Sequence, residues 1–370
     1  MIYFLLFTPF NNIKTTKLSR EEYLKSGRKY LDKCLKGLLI KNIPNEISKK
    51  PKISIIIPVY NSQKTIKSAI RSIQNQDCTD IEIILINDFS KDNSFIIIKN
   101  MQEEDPRIKI INNNKNMGIL YSRCIGVLKS NGKYILNLDH DDLFFDEDVF
   151  DKLYQVAEET KFDIISFMEV QGNDYFINSE KMKDGACTHH PDGLTVYQPE
   201  LSYYTLFKND SFSLVDVQIW GKLFKTQIYK NAINLLGKNR YSVFNAYNED
   251  MIALFIICRI AQSYKYIRKY GLFHFYDRKT ASNIATKIHR VSMIIFFCDI
   301  IFDLSKNNNK KYSAILAIKL RNSPFYHFLN NKTKEYLFSV LKKIMDCEFV
   351  EEKYKKKLKT IYTEFKLLYY

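Results

Sequence analysis

Tyr134-Ile135-Leu136-Asn137-Leu138-Asp139-His140-Asp141-Asp142 decides how this chain is read. An apolar run of strand length ends in three carboxylates within four residues. Carboxylates this close repel one another unless a cation or a donor-rich ligand compensates them. Oxygen ligands of this kind suit hard divalent ions, Mg2+ or Mn2+, which in turn hold phosphates. The same residues would also serve as a loop whose acidic side chains cap the next helix. The neighbouring segments separate the two.

Upstream, Ile53-Ser54-Ile55-Ile56-Ile57-Pro58-Val59-Tyr60 is a β-branched run with a proline near its end, as expected of a buried parallel strand. Ser62 stands where it can cap a helix whose apolar positions Ile66, Ala69, Ile70 and Ile73 follow helical spacing. A second strand is expected over Ile81–Ile86, ending in Asn87-Asp88, and a third over Ile108–Ile111. Helices are expected over Ser94–Gln102 and, after Asn116-Met117-Gly118, to about Lys129. This alternation predicts an α/β fold of βαβ units with right-handed crossovers and a mostly parallel sheet. Ligands of such sheets sit beyond the strand C-termini, where Pro58–Asn61, Asn87-Asp88 and Asp139–Asp142 converge on one rim.

Composition narrows the class. With 370 residues, 46% of them hydrophobic and 14% aromatic, the chain can bury a sizeable core and is not a disordered polymer. Its net charge of +15 fits nucleic acid, an anionic membrane or phosphate-bearing substrates, but the excess of Ile and Asn points to a compositional Lys bias as the larger part. No zinc-finger spacing, arginine-rich arm or aromatic RNA-binding motif supports nucleic acid as a partner. Seven dispersed cysteines without a C-x-x-C pair fit reduced thiols, several of them buried, better than a disulfide framework.

Met1–Phe10 is apolar but too short to span a bilayer, and it lacks the basic start and cleavage site of a signal peptide. Met293–Phe302 is interrupted by Asp299 and reads as a buried helix. No transmembrane segment is expected, which places the chain in the cytoplasm or peripherally on a membrane. Residues 1–51 read as an N-terminal extension and 52–285 as the main domain, halved at 170/171. Residues 286–370 read as a helical basic region, packing helices or a membrane-surface device. Between about 172 and 245, a stretch that includes His189-His190, the regular alternation fails.

Ile55–Asn61, Asn87-Asp88-Phe89-Ser90-Lys91-Asp92-Asn93-Ser94, Asn116-Met117-Gly118 through Arg123, Asp139-His140-Asp141-Asp142 and Asn248-Glu249-Asp250 occur in an order and spacing that resemble family 2 of the inverting glycosyltransferases. The resemblance covers about 52–170 and 215–285. It implies the GT-A (Rossmann-like) fold, a nucleotide-sugar donor, most readily a UDP-sugar, and a Mn2+ or Mg2+ cofactor. The acceptor would be a hydroxyl of a glycan, a protein or a lipid carrier, with peripheral membrane contact in the last case.

By that resemblance Pro58, Tyr60, Asn61, Asp88 and Arg123 contact the nucleotide, Asp88 accepting from the base imide. Asp141 ligates the metal. Asp139 contacts the ribose or shares the metal shell, and Asp142 is either a third member or a helix cap. His274 completes the metal shell or is a packed core histidine, and Arg278 is the alternative phosphate partner. Asp250 is the base that deprotonates the acceptor, its ionised form favoured at a helix N-terminus, and Glu249 orients the acceptor. Trp220-Gly221-Lys222 is an element the family often carries before its base. Phe89 stands where the family often has Gly, in a turn where Gly permits positive φ.

Two other enzymatic or binding classes compete. A nucleotidyltransferase would need a Gly-rich phosphate loop after the first strand, and Pro58-Val59-Tyr60-Asn61-Ser62 is not one. A catalytically inactive relative that binds a sugar nucleotide or a partner would have lost the metal or base carboxylates, and both are present.

Overall fold

The computed structural model describes residues 20–39, 41, 43–44, 48–172, 183–184, 192–197, 201, 207–208, 211–212, 218–242, 249–275, 284–305, 310, 313–314, 317 and 331–369. Met1–Phe10, His189-His190 and Arg278 lie outside them. The chain divides into two compact units, one of residues 1–202, 218–244 and 253–279, the other of 203–217, 245–252 and 280–370.

The first unit is built on a ten-stranded sheet. β1 (Ile53–Val59), β2 (Ile81–Asn87), β3 (Ile108–Asn112) and β4 (Tyr134–Asn137) form its parallel part, in the order β3-β2-β1-β4. Every residue of β1, β2 and β4 is buried, which is why their sequences are nearly unbroken apolar runs rather than alternating ones. Beyond β4 the sheet is mixed. It continues through an antiparallel strand Lys222–Lys225, β6 (Ile164–Gly172), a long strand Ser263–Phe275 and finally β5 (Leu143–Phe144).

Helices α2 (Ile66–Gln74), α3 (Ser94–Glu104), α4 (Ile119–Leu128) and α5 (Val149–Thr160) flank the sheet. α2 buries Ile66, Ala69, Ile70 and Ile73, the expected stripe. Ser62 does not cap it with its side chain: the helix starts at Ile66 with no side-chain cap, and the Ser62 N–H donates to the Ser94 hydroxyl at 2.7 Å. The Ser62 hydroxyl points into the same pair, at 3.4 Å, so it ties two loops rather than one helix end.

α4 lies hard against β1 and β2, because a Cβ on Gly126 would come within 2.7 Å of both Ile56 and Ile86. β1 therefore has β2 on one side and β4 on the other. The order of strands turns back there, the point at which open α/β sheets bind ligands.

The opposite end of the strands is locked by one buried carboxylate. Glu82 accepts from the Ser54 hydroxyl (2.5 Å), the Lys109 ammonium (2.6 Å) and the N–H groups of Asn131 (2.5 Å) and Gly132 (3.1 Å). It thereby joins β1, β2, β3 and the turn into β4. α1 (Arg20–Leu35) belongs to the same unit: Leu24 and Leu31 share an apolar cluster with Leu143, Phe145, Val170, Phe273 and Phe275. Gly27 lets the Phe145 ring lie against the helix backbone, where a Cβ would stand 2.1 Å from it.

In the second unit, helix Ile284–Leu304 packs with Asn331–Met345, and that helix with Glu352–Tyr369. Ile295, Phe297, Cys298, Ile300, Ile301 and Phe302 are buried there, and Lys343 bridges Asp299 and Asp303 at 2.7 and 2.5 Å. Among the described residues no helix is long and apolar enough to cross a membrane, and the described cysteines are all free.

Burial alone would raise the Glu82 carboxyl, but hydrogen bonds from Lys109, Ser54 and Asn131 outweigh it and hold the group below the usual carboxylate range. Such a group contributes stability above its unfolded pKa, about 4.3, and loses that contribution as pH falls through its lower folded value. Glu82→Gln is expected to lower unfolding stability by about 2 kcal/mol at pH 7. In urea denaturation the gap to wild type should narrow below about pH 4.

Candidate active site

The first wall of the rim comes from the ends of β1 and β2. Pro58 is internal to β1, in register with Ile86. Asn61 and Phe89 both adopt left-handed backbone, φ 49° and 64°. Asn61 is a residue that tolerates this; its Oδ1 accepts from the Lys91 N–H at 2.8 Å, and its own N–H donates to Ser90 Oγ at 3.2 Å. Phe89 keeps the turn that Gly would have made easily, at a cost of order 1–2 kcal/mol. The Lys91 ammonium sits 3.4 Å from the Phe89 ring centroid. Tyr60 and Phe89 are 43% and 40% exposed, so two aromatic rings stand open on the two strand tips.

Asp88 is placed differently from its neighbours. It is 3% exposed, and its oxygens accept from Asn113 Nδ2, the Met117 N–H and the Gly118 N–H, each at 2.8 Å. It therefore holds the 113–118 loop and the start of α4 at the rim. Asn113 was missed from the sequence, although the polar run Asn112–Asn116 directly after a strand marks such a loop.

α4 in turn carries Arg123, 1% exposed, whose Nη2 donates to Asp139 Oδ1 at 2.5 Å. His140 leans the other way, its Nδ1 3.2 Å from the Thr65 hydroxyl. Asp141 is half-buried.

Asp142 is not a helix cap. It is 1% exposed, and it leads into a strand, β5. His274 Nδ1 lies 3.0 Å from its carboxylate, and the Phe275 N–H donates to it at 3.2 Å. Burial drives the Asp142 carboxyl above the usual carboxylate range, against the pull of His274 and with the push of Asp141 and Asp139. Burial also opposes charge on His274, but the hydrogen bond and charge of Asp142 outweigh it and push the imidazole up to about 9. Irregular register between Tyr266 and Leu272 lets the long strand turn His274 toward Asp142, and the Trp220 indole stacks on the imidazole at 5.1 Å.

Among the described residues no group of three or more His, Cys, Asp or Glu side chains is gathered closely enough to hold a metal ion by itself. Asp139 is engaged by Arg123 and Asp142 by His274. This donor set fits an ion that arrives with its own oxygen ligands, as Mg2+ or Mn2+ does on a diphosphate, and not a protein-only cage. Glu249 and Asp250 occupy the first turn of helix Glu249–Ile260, half-buried, in the second unit.

Comparison with known proteins agrees with this architecture. TarS of S. aureus, solved with UDP, superimposes with a TM-score of 0.59 at 14% identity, over 86% of this chain and 89% of that one. Its complex with UDP-GlcNAc gives 0.58 at 13% identity, over 86% of this chain and 88% of that one. The fold is thus that of the GT-A glycosyltransferases. Residues 54–231, just under half of the chain, match the family described as "Glycosyl transferase family 2".

Glycosyltransferase GlyA of Streptococcus pneumoniae is 31% identical over 200 residues, which are 51% of this chain and 27% of GlyA. The GalNAc(5)-diNAcBac-PP-undecaprenol beta-1,3-glucosyltransferase of Campylobacter jejuni is 40% identical over 93 residues, 25% of this chain and 30% of that protein. The chain therefore spans under a third of either relative. The processive diacylglycerol beta-glycosyltransferase of Mycoplasma pneumoniae is 26% identical over 264 residues, 69% of this chain and 72% of that protein.

The bonding of Asp88 makes a prediction of its own. Asp88→Asn turns one acceptor oxygen into a donor facing an N–H, and is expected to lower stability by about 2 kcal/mol in nucleotide-free protein. Thermal unfolding without nucleotide checks this, and an unchanged midpoint would leave Asp88 only a ligand contact.

Proposed function

We propose that this chain transfers a sugar from a UDP-sugar to an acceptor hydroxyl by a single displacement that inverts the anomeric carbon, with residues 52–285 as the transferring domain. What supports this most is the compensation along one strand tip: Arg123 neutralises Asp139, and His274 neutralises Asp142, at the sheet's switch point. Strand-tip carboxylates with separate built-in cations keep their places without a ligand, so the rim is preorganised for a polar one.

Tyr60 and Phe89 would pack against the base, with Asn61 and the Pro58 end of β1 lining it and Asp88 holding the loop behind. Uridine is favoured by the TarS structures, whose bound ligands are UDP and UDP-GlcNAc. Arg123 and Asp139 would face the ribose and diphosphate. Asp141, with Asp139 as a further donor, would hold Mn2+ or Mg2+ together with the diphosphate, and His274 would join them through Nε2 only once that nitrogen gives up its proton. The bound ion supplies neutralisation of the leaving diphosphate. Asp250 would take the acceptor proton, its ionised form favoured in the first turn of its helix, and Glu249 would orient the acceptor.

A lipid-borne acceptor is favoured by the named substrates of the Campylobacter and Mycoplasma relatives. It is also favoured by helix Glu352–Tyr369. There Tyr354, Leu358, Ile361 and Phe365 are buried, while Lys356, Lys357, Lys359 and Lys366 are exposed. Such a face suits approach to an anionic membrane surface.

UDP release across a panel of UDP-sugars with Mn2+ or Mg2+ tests the assignment. Asp141→Asn is expected to abolish metal-dependent donor binding. Asp250→Asn should spare binding and lower turnover by roughly 10²–10⁴-fold. Full activity in both variants would overturn the site, and absence of donor binding with either metal would favour a non-enzymatic role.

A further inference from the structure

The turn Gln218–Lys222 is tied at several points. Lys222 is fully buried, and its ammonium donates to the Gln218 carbonyl, four residues back, at 2.8 Å. Between them Gly221 holds φ 68°, and its carbonyl accepts from the Phe167 N–H at 3.0 Å and the Ser166 hydroxyl at 3.4 Å. A buried ammonium costs several kcal/mol of desolvation, and an apolar side chain of similar length would fill the same space without that cost. A lysine at this position is therefore better explained by the geometry it imposes than by packing.

What that geometry sets is the place of Trp220. The indole is 6% exposed and lies on the His274 imidazole, ring centroids 5.1 Å apart and planes 18° apart. The imidazole is also held at its edge, through Nδ1 on Asp142. Stacking on the ring face and a hydrogen bond in the ring plane together restrict both side-chain torsions. With Nδ1 committed, Nε2 is the nitrogen left to meet a ligand, in one direction.

We infer that Trp220 and Lys222 are positioning residues: Lys222 shapes the 218–222 turn, Trp220 clamps His274, and His274 thereby presents Nε2 to the diphosphate side of the Asp139–Asp142 rim. This rests on the donor-binding reading above, and the test separates the two. Trp220 is the single tryptophan of the chain, so its fluorescence reports the clamp directly. Indole emission depends on what lies against the ring face, here the His274 ring at 5.1 Å. In ligand-free protein, Lys222→Met and His274→Gln are each expected to raise or shift that emission, with far-ultraviolet circular dichroism unchanged.

In turnover, Lys222→Met and Trp220→Leu are expected to lose about tenfold or more in kcat with a smaller change in donor KM, as for a misplaced contact. Trp220→Phe, which keeps an aromatic face on His274, should restore kcat to within about threefold of wild type. Wild-type emission in ligand-free Lys222→Met, or wild-type kcat in Trp220→Leu, would overturn the inference. If calorimetry shows no UDP binding to wild type, the donor reading falls, and the ligand-free emission still decides whether the clamp exists.

Discussion

Like-charge repulsion at one strand tip organises this molecule. Asp139, Asp141 and Asp142 lie within four residues just after β4, and the burial of Asp142 makes their repulsion of its charge stronger than it would be in water. The fold answers by bringing cations from far along the chain. Arg123 reaches Asp139 from α4, 16 residues earlier, and His274 reaches Asp142 from a strand 132 residues later. Everything that places those two side chains is thus part of the site: Gly126, which lets α4 approach the sheet; Asp88, which holds the start of α4; and the irregular register that turns His274 inward.

The same view explains why α1 is packed where it is. Its Leu24 and Leu31 share a cluster with Leu143, next to Asp142, and with Phe273 and Phe275, on either side of His274. An apolar cluster directly behind an ion pair excludes water from that side and keeps both backbones in register. Residues that read as an N-terminal extension therefore back the Asp139–Asp142 end of the sheet. At the other end of the strands, Glu82 does the corresponding work with hydrogen bonds instead of apolar contact.

Departures from local preference gather at the rim. Asn61 and Phe89 are left-handed, and the Lys222 ammonium is buried. Each is unfavourable alone and is held by its surroundings: Asn61 by Lys91 and Ser90, Phe89 by the Lys91 ammonium, Lys222 by the Gln218 carbonyl. Strain kept by so many partners belongs to a site whose shape matters more than its stability.

The sequence by itself determined the parallel half of the sheet, its crossover helices and the rim. Periodicity and unbroken β-branched runs are local signals that burial on both faces imposes on β1, β2 and β4. It also made Asp139–Asp142 stand out, because clustered carboxylates are costly wherever they occur. Tertiary structure alone decided what Asp88, Asp139 and Asp142 bond to. Whether Asp142 caps a helix or pairs with a histidine depends on a strand 132 residues away. Whether Asp88 touches a base or holds a loop depends on N–H groups of Met117 and Gly118, nearly 30 residues on. Ser62 has the local chemistry of a cap, but its hydroxyl lies against the Ser94 hydroxyl at 3.4 Å and caps no helix. Trp220 stood out in the sequence only by resemblance, and its contact with His274 did not, since ring stacking has no sequence period. Compensation of charge is set by distance in space, and no spacing along the chain encodes it.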